Sequence, residues 1–155
     1  MNGFYAFSIL LLTAVFPGIC FAIEIISNKS TGSSWLIFGK WFIFSAVGLR
    51  LFLAGIKQVA NPAFTAKEIF HIDSPSSFPI VRELGFANIC FGLIGIISLF
   101  LPQWRIVSAF ASGLYYGIAG LQHLIKKPAG PNELLALISD VLIFLVLLIY
   151  IISII

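Results

Sequence analysis

Apolar residues run along the chain in five long stretches that are separated by short polar segments. Each stretch approaches the roughly 20 residues that a helix needs to cross about 30 Å of hydrocarbon at 1.5 Å per residue. Clusters of Gly, Pro, Ser and Asn stand between the stretches and favour turns. The pattern predicts a single all-α transmembrane domain over residues 1–155, with spans at about 4–26, 36–57, 83–101, 104–125 and 133–155.

The connections between these spans predict how neighbouring helices are arranged. Residues 28–34, Pro102-Gln103 and residues 126–132 form tight connections, which favour antiparallel hairpins. Residues 58–82 form a longer loop, in which a short amphipathic helix over Ala66–Ile72 is expected at the membrane interface. Its predicted N-terminus is a capping box, with Thr65 at the N-cap and Glu68 three residues on.

The first span has the length of a retained helix rather than of a signal peptide. It lacks a basic segment in front of it, and its apolar stretch is longer than the apolar region of a secretory signal. Pro17 lies inside this span, and a proline in a helix interior removes one backbone hydrogen bond. We therefore predict a kinked first transmembrane helix.

The composition excludes a soluble protein. Of the 155 residues, 60% are apolar and only 10% are charged, against roughly 25% charged in an ordinary soluble domain. The mean hydropathy is +1.09. The basic residues form no run typical of a nucleic-acid surface, so the lipid bilayer, and not nucleic acid, is the expected partner.

The distribution of Lys and Arg predicts the orientation in the membrane. Five crossings place five basic residues on the side of the N-terminus and three on the other side. Basic residues favour the cytoplasmic side. We predict a prokaryotic cell-membrane protein with its N-terminus inside and its C-terminus outside, from Lys57, Lys67, Arg82, Lys126 and Lys127 against Lys29, Lys40 and Arg105.

Polar residues gather in the inner half of spans two to five. A charge in hydrocarbon costs roughly 2.5–3.5 kcal/mol on insertion scales, so such residues face protein or a water-filled cavity. Arg50 and Asp140 lie deepest, and each must be neutralised, by the other or by Glu83 and Lys57. Lys57, Arg82, Lys126 and Lys127 can instead reach the headgroups as anchors. The predicted polar pocket contains Arg50, Lys57, Arg82, Glu83, Asn88, Tyr116, His123 and Asp140, with Gln122 nearby.

Small residues follow one face of span three and one face of span four. This small-x-x-x-small spacing lets helix backbones approach closely. The sequence carries no metal-binding cluster, nucleophile elbow or dinucleotide fingerprint, so no catalytic residue, metal or cofactor is predicted. The stripes are Gly85, Asn88, Gly92 and Gly95 in span three and Ala109, Gly113, Gly117 and Gly120 in span four.

Several runs stand out along the chain: Gly39–Phe42, Val47–Leu51, Asn61–Ala66 with Glu68–Phe70, Val81–Asn88, Gly117–Gly120 with His123, and Ser139-Asp140. Together they resemble a family of small prokaryotic membrane proteins of unknown function that is distantly similar to DoxX proteins. The resemblance implies an antiparallel four-helix core formed by spans two to five, with the first span as an added helix. DoxX-type proteins are described as membrane subunits of oxidoreductases that handle sulfur compounds and quinone.

Three functions remain open from the sequence. The first is a non-enzymatic accessory or binding protein whose inner-facing pocket takes a small anionic, quinone-like or lipid-headgroup ligand. The second is a small oligomeric transporter or proton-coupled carrier in which Asp140 and His123 exchange protons. The third is a membrane subunit of a DoxX-like oxidoreductase complex. A homo-oligomer or a membrane partner subunit is the expected assembly.

Overall fold

The structure, a computed structural model, describes residues 3–27 and 33–154. Helices form all the regular structure within these ranges, and a single 3₁₀ turn at Pro75–Ser77 precedes the fourth helix. The helices are α1 (Gly3–Ile26), α2 (Ser34–Ala60), α3 (Pro62–Glu68), α4 (Phe78–Ile97), α5 (Trp104–Lys126) and α6 (Pro131–Ile152).

Among the described residues, the five long helices overlap the five predicted spans. Four of them, α1, α2, α4 with its 3₁₀ turn, and α6, are long and apolar enough to cross a membrane. Helix α5 has 23 residues, which suffice in length. Its Arg105, Gln122 and His123 lower its hydropathy, so it is not among the four. The fifth crossing therefore stays a prediction.

Several helix boundaries differ from those predicted: α4 ends at Ile97 rather than at residue 101, and α3 ends at Glu68 rather than at Ile72. Helix α4 begins at Phe78 rather than at residue 83, because Pro79 fits the first turn of a helix, where its missing N–H has no partner to lose. Helix α3 begins at Pro62 for the same reason, with Asn61 as its N-cap. Thr65 lies buried inside this helix, so the predicted capping box is wrong. The predicted turn that starts at residue 28 falls mostly on residues 28–32, outside the described residues.

Glycines join the long helices into two close antiparallel pairs. In the pair of α2 and α4, Gly48 packs on Gly95 and Gly55 packs on Gly85. A Cβ added to Gly95 would lie 2.6 Å from the backbone nitrogen of Gly48, so only glycine allows this approach. In the pair of α5 and α6, the glycines of α5 meet side chains of α6, with Gly117 against Phe144. The small-residue stripes thus serve helix packing.

Helix α1 lies against α2 and also touches α6. The backbone is π-helical over Leu11–Val15, immediately before Pro17, and again over Ile43–Leu49 in α2. The two π segments contact each other, and the Ser45 hydroxyl donates a hydrogen bond to the carbonyl of Leu12. The helix therefore continues through Pro17 with a local widening of its hydrogen-bond pattern.

An ion pair also joins α1 to α2 near the end that lies opposite α3. The Lys40 ammonium contacts the Glu24 carboxylate, with a distance of 2.7 Å from Nζ to Oε1. The indole N–H of Trp41 donates to the same carboxylate over 2.6 Å. Both charged side chains are mostly buried, at 18% and 14% exposed. These contacts bind the Glu24 carboxylate to α2.

Candidate functional site

A cavity of about 620 Å³ lies between the pair of α2 and α4 and the pair of α5 and α6. Residues of α1 and α3 complete its walls. Four polar residues in it lie at one level, each about ten residues, or ~15 Å, from the end of its helix on the side of α3. They are Arg50 of α2, Asn88 of α4, Tyr116 of α5 and Asp140 of α6.

Arg50 and Asp140 form an ion pair across the cavity wall. The Nη2 atom of Arg50 donates to Asp140 Oδ1 over 3.1 Å and to the Ser139 hydroxyl over 2.8 Å. The guanidinium carbon lies 5.2 Å from the centroid of the Tyr116 ring. The Tyr116 hydroxyl donates in turn to the carbonyl of Ala46, in the π-helical segment of α2, over 3.0 Å. These contacts hold the guanidinium in one orientation.

Two buried polar atoms of cavity-lining residues have no hydrogen-bond partner among residues 3–27 and 33–154. One is Nη1 of Arg50, and the other is Oδ1 of Asn88. Asn88 is 3% exposed, and its Nδ2 donates to Gln58 Oε1 over 2.7 Å. Buried polar groups are nearly always hydrogen-bonded, because an unpaired one costs about 1–3 kcal/mol. A ligand or water in the cavity would supply the missing partners.

A second polar cluster surrounds Glu133 at the start of α6. Its carboxylate lies 3.2 Å from His71 Nε2 and 3.4 Å from His123 Nδ1. It also accepts the backbone N–H of Ala129 over 2.8 Å. Glu133 is 4% exposed and lines the cavity together with His123. The cluster joins α5, α6, the segment after α3 and the loop between α5 and α6.

The charges that line the cavity are unbalanced. Three basic residues and two acidic residues line it. Lys57 is in no ion pair within the described part of the chain, and its ammonium lies 3.4 Å from the centroid of the Phe64 ring. Such a cation–π contact stabilises a lysine without neutralising it. The cavity therefore carries a formal excess of positive charge, from Arg50, Lys57 and Lys126 against Glu133 and Asp140.

The structure brings six of the eight predicted pocket residues together. Arg82 and Glu83 do not line the cavity and are exposed. The early start of α4 places both within the second turn of that helix, beside the buried Val81 that faces the bundle. The residues that line the cavity are Arg50, Lys57, Asn88, Tyr116, His123 and Asp140, and Gln122 also borders it.

Sequence reasoning missed several polar residues of this site. Glu133 was left out of the predicted pocket, although it lies seven residues before Asp140 on the same helix face. Ser139 and Gln58 have no comparable signal, because serine and glutamine are common in helices that carry no site. Tyr115 faces the cavity next to Tyr116, and its ring stacks on Phe91 with centroids 5.4 Å apart.

One family model matches residues 6–154, almost the whole chain, and is described as a family of unknown function, DUF6790. The chain belongs to this family. Among curated proteins no match was found, and among solved structures none was found either. Membership of DUF6790 agrees with the expected family of unknown function, and the relationship to DoxX proteins stays a prediction.

Proposed function

We propose that this DUF6790 protein is a membrane protein that binds an amphipathic ligand in the cavity between its two helix pairs. The observation that carries the proposal is the buried, unpaired Nη1 of Arg50, a residue that lines a cavity with excess positive charge. A guanidinium donor of this kind suits the oxygen of a phosphate, a carboxylate or a polarised carbonyl. The role is binding rather than chemistry.

The walls of the cavity support a ligand with an apolar part. Apolar and aromatic side chains from α1, α2 and α3 form most of the lining around the polar level. Cavities of roughly 300–1,000 Å³ with a few placed polar groups are typical of sites for small molecules. The ligand would place its polar head at Arg50 and its apolar part against the apolar lining of the cavity.

Asp140 has a supporting role in this proposal. Its carboxylate and the Ser139 hydroxyl hold Nη2 of Arg50, which leaves Nη1 for the ligand. An arginine held in this way loses little side-chain freedom when a ligand binds, and this favours affinity. In this proposal the ion pair positions Arg50 for ligand binding in addition to stabilising the helix bundle.

Native mass spectrometry of the full chain, purified in mild detergent, tests the proposal. We expect the wild type to retain an amphipathic molecule and the double variant Arg50→Gln/Asp140→Asn to lose it, because the double variant removes the donor without leaving an unpaired charge. Arg105→Gln is the matched control, since Arg105 lies at the other end of α5 and bonds to the carbonyl of Ser98. Equal retention by all three proteins would refute the proposal.

Two alternatives from the sequence have tests of their own. A proton-coupled carrier predicts flux in liposomes that Asp140→Asn abolishes; flux that survives this change rejects proton transfer through Asp140. A DoxX-like oxidoreductase subunit predicts copurification with a partner that carries a redox cofactor. We also propose that the chain crosses the membrane five times with its N-terminus inside. Each of the three functions is compatible with this topology.

A further inference from the structure

We infer that the ligand is an anionic lipid of the bilayer, and that it reaches the cavity sideways through a gap between α4 and α5. This inference rests on the proposed function and names its ligand class. The gap is defined by Leu84 on α4 and by Ile118 and Gln122 on α5, which line the cavity. The polar head would lie at Arg50, and the acyl chains would leave through the gap.

The first observation is that cavity-lining residues of α5 also lie on the outer surface of the bundle. Ile118 lines the cavity and is 67% exposed, and Gln122, one turn along, is exposed as well. A side chain can belong to both surfaces only where the cavity reaches the outside. The cavity is therefore open on the side of α5 that carries these two residues.

The second observation is the depth of this gap. Ile118 lies about eight residues, or ~12 Å, from the end of α5 at Lys126, close to the level of Arg50. At this depth the surroundings of a spanning helix are acyl chains rather than water. A gap here admits a lipid from the bilayer more readily than it admits an ion from the aqueous phase.

The third observation is how loosely α4 and α5 pack. The glycines of each helix face a different neighbour. In α4, Gly85, Gly92 and Gly95 pack against α2, and in α5, Gly117 and Gly120 pack against α6. The contact between α4 and α5 is far less extensive than the contact within either pair. The Phe91–Tyr115 stack joins them on the side of the cavity away from α3, so the gap lies between this stack and the ends of the helices near α3.

Charge selects an anionic headgroup. The guanidinium of Arg50 offers a free donor, and Lys57 and Lys126 line the same cavity. The amide of Asn88 offers a free oxygen, which suits a hydroxyl of the headgroup. A phosphodiester with a hydroxylated headgroup, such as that of a phosphatidylglycerol, combines an acceptor for Arg50 with a donor for Asn88.

Binding of two probes to the full chain separates a lipid ligand from a free anion. The probes are dioleoylphosphatidylglycerol and its soluble headgroup analogue, glycerol 1-phosphate. Ile118→Trp fills the gap, and Ile138→Trp is the matched control, because Ile138 is 56% exposed on α6 and does not line the cavity. We expect Ile118→Trp to weaken lipid binding at least tenfold, and we expect Ile138→Trp to bind like the wild type.

The remaining outcomes also decide the inference. Equal lipid binding by the two tryptophan variants would overturn access through the gap, and so would tighter binding of glycerol 1-phosphate than of the lipid. Both results would leave the proposed function standing. The proposed function would be refuted if the wild type bound neither probe nor any other amphiphile and Arg50→Gln/Asp140→Asn behaved like the wild type.

Crosslinking provides a measurement that needs no substitution. A phosphatidylglycerol with a photoreactive group in its acyl chain is expected to label peptides that contain Leu84 and Ile118. Leu53 and Phe4 line the cavity on the side of α1 and α2, and they are exposed as well. Labelling at Leu53 and Phe4 in place of Leu84 and Ile118 would contradict the inferred path.

Discussion

Arg50 and Asp140 are the residues on which the site depends most. Each would cost several kcal/mol as an isolated charge in hydrocarbon, and together they neutralise each other through a hydrogen bond of 3.1 Å. The pair does not use the full donor capacity of the guanidinium, since Nη1 stays unpaired. Arg50 lines the cavity, and a pair selected for stability alone would not need an unpaired donor there, so we interpret the unpaired atom as a binding group.

At the residue scale we predict that one broken pair destabilises the protein more than two neutral residues do. Arg50→Gln leaves Asp140 buried without its partner, and the loss of one partner of a buried pair costs about 3–5 kcal/mol. The double variant Arg50→Gln/Asp140→Asn should recover most of this loss. Melting temperatures in detergent measure both. A double variant less stable than Arg50→Gln would mean that the two residues do not act as a pair.

A second prediction at this scale concerns the loop between α5 and α6. Glu133→Ala removes the acceptor of the Ala129 N–H and the partner of His71 and His123. We expect faster hydrogen exchange at the amide of Ala129, because its hydrogen bond is lost. Glu83→Ala, which removes an exposed carboxylate, is the control. Unchanged exchange in Glu133→Ala would show that the loop does not depend on this carboxylate.

At the scale of the elements, sequence patterns predicted the helices well and their ends less well. Long apolar runs place a helix wherever they occur, because a backbone in hydrocarbon must satisfy its own hydrogen bonds. Pro62 and Pro79 were interpreted as loop residues, although each fits the first turn of a helix. The glycine stripes predicted close packing but not the partner of each stripe, which depends on how the helices are arranged around one another.

The glycine faces give a prediction at the scale of the helix pair. A methyl group at Gly95 would lie 2.6 Å and 2.7 Å from backbone atoms of Gly48, so Gly95→Ala should force α2 and α4 apart and cost about 1–3 kcal/mol. Gly113→Ala is the matched control, since its methyl group would lie 3.6 Å from Leu147 Cβ, an ordinary contact. We expect Gly113→Ala to be neutral or stabilising in a thermal unfolding assay. Equal effects would contradict the assigned pairing.

At the scale of the whole molecule, the cavity arises from the arrangement of the two helix pairs. The sequence predicted that the polar residues of spans two to five gather in one half of the bundle, because helical depth can be counted along each span. It did not predict that Arg82 and Glu83 stay outside the cavity, since this depends on the rotation of α4 about its axis. Nor did it predict the contact of His71 with Glu133, which joins a loop to a distant helix.

The topology of the whole chain is a further prediction. If α5 crosses the membrane together with the four more apolar helices, the number of crossings is odd, and the two termini lie on opposite sides. Reporter fusions at each terminus of the chain measure this directly. We expect a cytoplasmic signal at the N-terminus and an external signal at the C-terminus. Signals on the same side would mean that one of the five long helices does not cross.

The most direct test of the binding account is an experimental density map of the wild-type protein in nanodiscs that contain phosphatidylglycerol. We predict elongated density in the cavity, with its polar end within hydrogen-bond distance of Arg50 Nη1 and its tail passing between Leu84 and Ile118. A cavity without lipid density, in which Nη1 bonds to a protein group, would contradict the account and would leave Arg50 and Asp140 as a structural brace.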